Sequence, residues 1–205
     1  FGSRVVRAYQ DPRSNLHIDD ARTYFSSGKR EYDVIISEPS NPWVSGVASL
    51  FTREFYEFLR GHLREGGLAV QWLQSYELSD PLMATMVAAL IAEFPHVDVY
   101  TTNGADMLFV LSERSLPALD YGRLESPELS AELARVGLRG VEDFNVRRVG
   151  DRSTLKALAA LYGAHAHSDF FPVVALEAPR ARFMGSSVRF FLELMDAGMP
   201  VLDIT

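Results

Sequence analysis

A glutamate standing where an apolar strand stops is well placed in this chain to move a proton. Tyr32–Ser37 (YDVIIS) is a near-continuous β-branched run, and Glu38 follows it directly, ahead of Pro39-Ser40-Asn41-Pro42-Trp43. Two prolines stiffen that loop, and a carboxylate held there can act as a general base. A solvated turn acid is the plainer reading of the same residue. Two further strand ends carry polar residues. His17-Ile18-Asp19-Asp20-Ala21 follows the candidate strand Asn15–Ile18, and Gln71-Trp72-Leu73-Gln74 closes Leu68–Leu73. Ligands of open α/β sheets bind beyond the carboxyl ends of the strands, so all three ends are candidate site positions. His165-Ala166-His167-Ser168-Asp169 sets two histidines and an acid at alternate positions. No third histidine follows at ligand spacing, so a polar loop ahead of the apolar run Phe170–Leu176 is expected there, and no metal.

The elements that must position these residues follow from period and punctuation. Thr52 can cap a helix whose inward face is Phe55, Phe58, Leu59 and Leu63. Gly66-Gly67 reads as the helix-ending turn before Leu68–Leu73. Asp80-Pro81 reads as a cap followed by proline at the first helical position, opening a helix that presents Leu82, Met86, Leu90 and Phe94. His96–Thr101 and Asp106–Ser112 form a hairpin turning at Asn103-Gly104. Strands alternating with helices predict an α/β doubly wound sheet over residues 1–112. Beyond Glu113 helices are expected from Ser126-Pro127, from Asp151 through Leu161, and over Ser187–Ala197, which makes 113–205 a mainly helical C-terminal extension.

Composition narrows the function classes. The 205 residues carry 20 basic and 27 acidic side chains, a net charge of −7, and neither half of the chain is basic. A nucleic-acid groove or an anionic membrane surface is therefore not an expected partner. Cysteine is absent, which excludes a disulfide framework, a thiolate zinc site and a cysteine nucleophile. No apolar run reaches the length of a membrane helix, and a cytoplasmic location is expected.

The stretches DPRSNLHIDDARTYF, YDVIISEPSNPWVSGVASLFTREFYEFL and GGLAVQWLQSYEL, in unbroken order over residues 5–112, resemble the spermidine synthase-like (polyamine aminopropyltransferase) family. The likeness is greatest to bacterial spermidine-synthase-like domains fused to membrane transporter segments. The resemblance implies a Rossmann-like methyltransferase fold. It also implies transfer of an aminopropyl group from decarboxylated S-adenosylmethionine to a small amine substrate, in polyamine biosynthesis. By the same resemblance Asp20-Ala21 takes the adenine, with the Asp20 carboxylate accepting from the amino group, and Glu38 is the general base beside the nucleoside. Asn41 falls where the family holds the attacking amine with an acid, and Gln71-Trp72 line the floor of the site.

Three departures from the family stand out. Glu38 is one methylene longer than the usual aspartate, Asn41 is neutral, and Thr101–Met107 lacks the family's tyrosine-proline segment. The family's upstream Gly-rich loop and ribose-binding acid have no counterpart here. The sequence is accordingly expected to be the distal part of a longer protein, a Rossmann-like sheet incomplete at its N-terminus. Its strand Tyr32–Ser37 would then be an open edge that a homodimer could cover. Two alternatives stay open: a methyltransferase using intact S-adenosylmethionine, and a non-catalytic nucleoside or polyamine sensor joined covalently to a membrane segment.

Overall fold

The computed structural model describes residues 6, 9–26, 28, 30–102, 105–191 and 193. These fall into two compact units, Phe1–Arg30 and Glu31–Thr205. The turn expected at Asn103-Gly104 and much of the helix expected over Ser187–Ala197 lie outside the described residues.

In the first unit a short helix, α1 (Ala21–Ser26), starts at Asp20. The Asp20 carbonyl accepts from Tyr24 N at 2.8 Å and its Oδ1 accepts from Thr23 N at 3.0 Å, the two bonds of an N-cap. The strand expected at Asn15–Ile18 does not form. Leu16 and Ile18 are strongly exposed there, and two apolar residues alternating with Asn15 and His17 are too short a pattern to specify a strand.

The second unit is a five-stranded sheet: β1 (Tyr32–Ser37), β2 (Leu63–Gln74), β3 (His96–Thr101), β4 (Asp106–Ser112) and β5 (Arg148–Asp151), in the order β1-β2-β4-β3-β5. β1 and β2 run parallel, whereas β4 is antiparallel to both of its neighbours, β2 and β3. Between the strands stand a 3₁₀ turn (Val47–Phe51), α2 (Arg53–Gly61) and α3 (Asp80–Glu93). The extension adds α4 (Tyr121–Leu124), α5 (Pro127–Ala134), α6 (Val141–Asn145), α7 (Arg152–Leu161) and α8 (Val173–Phe183). It is not purely helical, because β5 pairs with β3 and lengthens the sheet. Four residues interrupted by Gly150 gave too short a run for period-2 reading to detect.

Helix α3 is the centre of the core. Leu82, Met86, Leu90 and Phe94 are buried as expected, and so are Met83, Ala84, Val87 and Ala89, so the helix is apolar nearly all round. Such a helix needs cover on several sides, and α2, α7 and α8 all pack against it. Its cap is Ser79, with Asp80 the first helical residue. The displaced Asp80 carboxylate instead accepts from Arg189 N and Phe190 N, both at 3.0 Å. On α2 the Thr52 hydroxyl accepts from Phe55 N at 3.3 Å, as expected of a cap. Phe55 and Leu59 face inward, but Tyr56 takes the place expected for Phe58, which stacks on His62 at the surface. Glu93, nearly buried, accepts from Arg53 Nε at 2.7 Å and ties α3 to α2.

Gly66-Gly67 does not end a helix. α2 has already stopped at Gly61, and the pair lies inside β2 at a bulge where Tyr32 pairs with Leu63 but Val34 pairs with Leu68. Gly66 adopts φ +77°, and a Cβ on Gly67 would stand 2.9 Å from the Arg64 carbonyl and 3.1 Å from that of Tyr32. The bulge therefore needs glycine at both positions, for two different reasons. Gly67→Ala is expected to destabilise the unit by about 1–3 kcal/mol, since backbone cannot yield cheaply. Gly61→Ala, in helix with open space around it, should instead be neutral or stabilise by up to about 1 kcal/mol. Urea unfolding midpoints of the two variants test this opposition of sign.

Candidate functional site

The parallel register sets the carboxyl ends of β1 and β2 side by side, with Ser37 opposite Gln71. Glu38 leaves β1 at that level as an exposed carboxylate. The loop behind it is shaped by local bonds. Asn41 O accepts from Val44 N at 2.9 Å, Gly46 turns the chain at φ +84°, and Ser49 N and Oγ both donate to Gly46 O. Asn41 Nδ2 reaches across to the hydroxyl of Tyr76 at 3.5 Å, linking the loop after β1 to the loop after β2.

Several buried polar atoms of β2 and α2 have no partner. Gln71 is fully buried, and its Nε2 donates to Trp72 O at 2.9 Å while its Oε1 accepts nothing. Gln74 is fully buried with neither amide atom bonded, and the buried Tyr56 hydroxyl is likewise unpaired. Burial pushes the pKa of that hydroxyl up, so it remains a neutral donor. An unpaired buried polar atom costs roughly 1–3 kcal/mol, and native folds keep few of them unless a ligand or water completes the bond. Gln74 lies in the strand-end segment that the sequence singles out, whereas Tyr76 has no sequence signal beyond its nearness to Gln74.

The expected site residues divide between the two units. Glu38, Asn41, Gln71 and the half-buried Trp72 gather at the strand ends of the second unit. Asp20 and Ala21 belong to the first, where Thr23 N takes Oδ1 of Asp20 and leaves Oδ2 for an outside donor. Arg182 lies over the Trp43 ring at 5.2 Å and 3.6 Å from Glu77. It thereby fastens the loop after β1 to the loop after β2.

The His165–Asp169 segment is a clamp. His167 is buried, and its Nε2 lies 3.0 Å from Ala48 O in the 3₁₀ turn. Its carbonyl accepts from Arg53 N at 2.8 Å and its amide donates to Thr85 O at 3.1 Å. Ser168 Oγ and Asp169 N both donate to Glu54, at 2.6 and 3.0 Å. Burial works against the Glu54 carboxylate, but these donors outweigh it and hold its pKa below the ordinary value. Among the described residues no cluster of three or more histidines and acids is placed to hold a metal.

The Rossmann-like methyltransferase fold is shared with known proteins. A crystal structure of a probable spermidine synthase from Corynebacterium glutamicum superposes with a TM-score of 0.52 at 23% identity, over 81% of this chain and 59% of that one. Residues 1–104 match the spermine/spermidine synthase domain family, and the chain belongs to that family. A polyamine aminopropyltransferase of Nitrosomonas europaea is 30% identical over 135 residues, 64% of this chain and 40% of that protein. Polyamine aminopropyltransferase 2 of Pseudomonas aeruginosa is 37% identical over 95 residues, 45% of this chain and 27% of the relative. The chain thus spans well under half the length of these two relatives. No helix among the described residues is long and apolar enough to cross a membrane.

Burial lowers the pKa of His167 below the ordinary imidazole value of 6.5. The fold holds the ring neutral, so between that value and the lowered one the unfolded chain binds a proton that the folded chain does not. Stability is therefore complete above this window and falls as pH drops through it, by at most about 1.4 kcal/mol per pH unit. His167→Gln is expected to remove this part of the acid slope in urea unfolding measured across a pH series. An unchanged slope would assign the acid sensitivity to other groups.

Proposed function

We propose that this chain supplies the amine-activating half of an aminopropyltransferase site, with decarboxylated S-adenosylmethionine as co-substrate and a small amine as acceptor. The observation that carries the reading is the exposed carboxylate of Glu38 at the strand end where Gln71, opposite Ser37, is buried with its Oε1 unpaired. A primary amine reaches the site as an ammonium near neutral pH and attacks only when neutral. Glu38 attracts the cation and accepts its proton. The nitrogen then forms a bond to the carbon beside the sulfonium, the carbon–sulfur bond breaks, and sulfur keeps the electron pair and leaves as a neutral thioether nucleoside. Asn41, held by Tyr76, can accept from the amine without adding charge, and Gln71 lies beneath it at the strand end, with Trp72 next in the strand on the opposite face. The free Oδ2 of Asp20 is an acceptor suited to the adenine amino group. The other residues contribute through in-line positioning of the two reactants.

Glu38→Gln in the full-length protein is expected to lower transfer by about 10²–10⁴-fold while nucleoside affinity is kept. Full turnover in that variant would remove Glu38 from the base role. Asp20→Ala should weaken nucleoside binding by about 1.5–3 kcal/mol, measured by calorimetric titration, and equal affinity would leave Asp20 as a helix cap alone. Thermal shifts with decarboxylated and intact S-adenosylmethionine separate aminopropyl from methyl transfer, since only the preferred form should raise the melting temperature strongly.

A further inference from the structure

The Arg182 side chain donates no hydrogen bond among the described residues. Its guanidinium lies over the Trp43 ring at 5.2 Å, and its Nε stands 3.6 Å from Glu77 Oε2, a separation that gives charge attraction without a hydrogen bond. Neither partner is buried, the Arg182 side chain being 57% and that of Glu77 40% exposed. Glu77 also takes φ +52°, alone among the described non-glycine residues, a conformation that persists only where surrounding contacts impose it. The pair is joined to the amine position by a closed circuit of contacts. Asn41 Nδ2 meets the Tyr76 hydroxyl at 3.5 Å, Tyr76 precedes Glu77, Glu77 faces Arg182, and Arg182 covers Trp43, which follows Asn41-Pro42.

We propose that Glu77 and Arg182 receive the zwitterionic head of an α-amino acid, so that the acceptor is an α-amino acid with a terminal amine on its side chain. This rests on the aminopropyl-transfer reading above. The charges correspond one for one. Glu38, Glu77 and Arg182 are two carboxylates and a guanidinium, and such an acceptor carries two ammoniums and a carboxylate. A plain diamine lacks the carboxylate, and its second ammonium would meet Arg182 as a like charge. The planar guanidinium can take a carboxylate through two parallel bonds, Glu77 accepts from the α-ammonium, and the Trp43 ring keeps the guanidinium in place. A loose contact is thereby exchanged for hydrogen bonds to both partners. The Tyr76 side chain reaches Asn41 while its backbone leads into Glu77, so the two ends of the acceptor are set about one extended side chain apart. That is the reach of the acceptor's own side chain. Its terminal ammonium gives a proton to Glu38, and the freed nitrogen bonds to the carbon beside the sulfonium. The carbon–sulfur bond breaks with its electron pair going to sulfur, leaving a secondary ammonium and a neutral thioether.

Calorimetric titration of the full-length protein with L-ornithine and with 1,4-diaminobutane tests this, because the two compounds differ only by the carboxylate. L-Ornithine is expected to bind at least about tenfold more tightly. Arg182→Gln should weaken L-ornithine at least about tenfold and leave 1,4-diaminobutane unchanged or tighter, whereas a folding defect would weaken both. Arg182→Lys, which keeps the charge, should retain more of the preference than Arg182→Gln. Equal affinity for the two compounds, no binding of either, or an equal loss of both in Arg182→Gln would overturn the proposal. So would weakened binding of intact S-adenosylmethionine in Arg182→Gln with L-ornithine affinity kept, which would give the head-group site to the nucleoside's methionyl end. These titrations involve no turnover, so a failure of the transfer reading shows separately, in the activity of Glu38→Gln.

Discussion

The parallel pairing of β1 with β2 is the constraint on which the candidate site depends. Parallel strands have no tight turn to set their register, so it must come from packing and from the chain between them. Here two features set it. Helix α2 and the 3₁₀ turn lie against α3 and carry the crossover, and the bulge at Gly66-Gly67 absorbs the mismatch between two short stretches of strand. Once Ser37 stands beside Gln71, the loop bearing Glu38 and Asn41 has to leave the sheet where the polar end of β2 also stops. A slip of one residue would turn Gln71 to the other face and bury Trp72 in its place.

Rigidity behind the site comes from the extension. His167 bonds the 3₁₀ turn, the start of α2 and the side of α3 in one residue. Arg182 joins the loops after β1 and β2 through Trp43 and Glu77, and Asp80 caps the segment that follows α8. These contacts are polar and local, and they link elements far apart in sequence. They stiffen the strand-end loops. The unsatisfied amides of Gln71 and Gln74 are the counterpart of that rigidity, because a side chain held in place cannot turn to find a bond of its own.

Helix α8 has unlike faces, with Val174, Ala178 and Ala181 buried and Leu176 and Phe183 exposed. Its small buried residues fit it closely to α3, and close fit leaves the larger apolar residues no direction but outward. An eleven-residue helix with proline inside it would be marginal alone. Its stability comes from the buried stripe, which makes the exposed stripe a fixed surface.

Much of this molecule is written locally. The β-branched run of β1, the Thr52 and Asp151 caps, and the apolar period of α3 each carry their own signal within a few residues. The position of Glu38 at a strand end follows directly from them, and so does the order of strands and helices that defines the fold. What short-range pattern could not decide is anything that depends on a distant neighbour. Asn15–Ile18 alternates like a strand yet forms none, and β5 lacks strand composition yet pairs because β3 offers an edge. Gly66-Gly67 has the chemistry of a helix stop, and only the approach of the β1 carbonyls shows why glycine is needed there. The histidines of 165–169 have the spacing of ligands, and burial against three other elements makes His167 a clamp. In each case residue type sets what a position can do, and the groups that tertiary packing brings within about 4 Å decide which of those things it does.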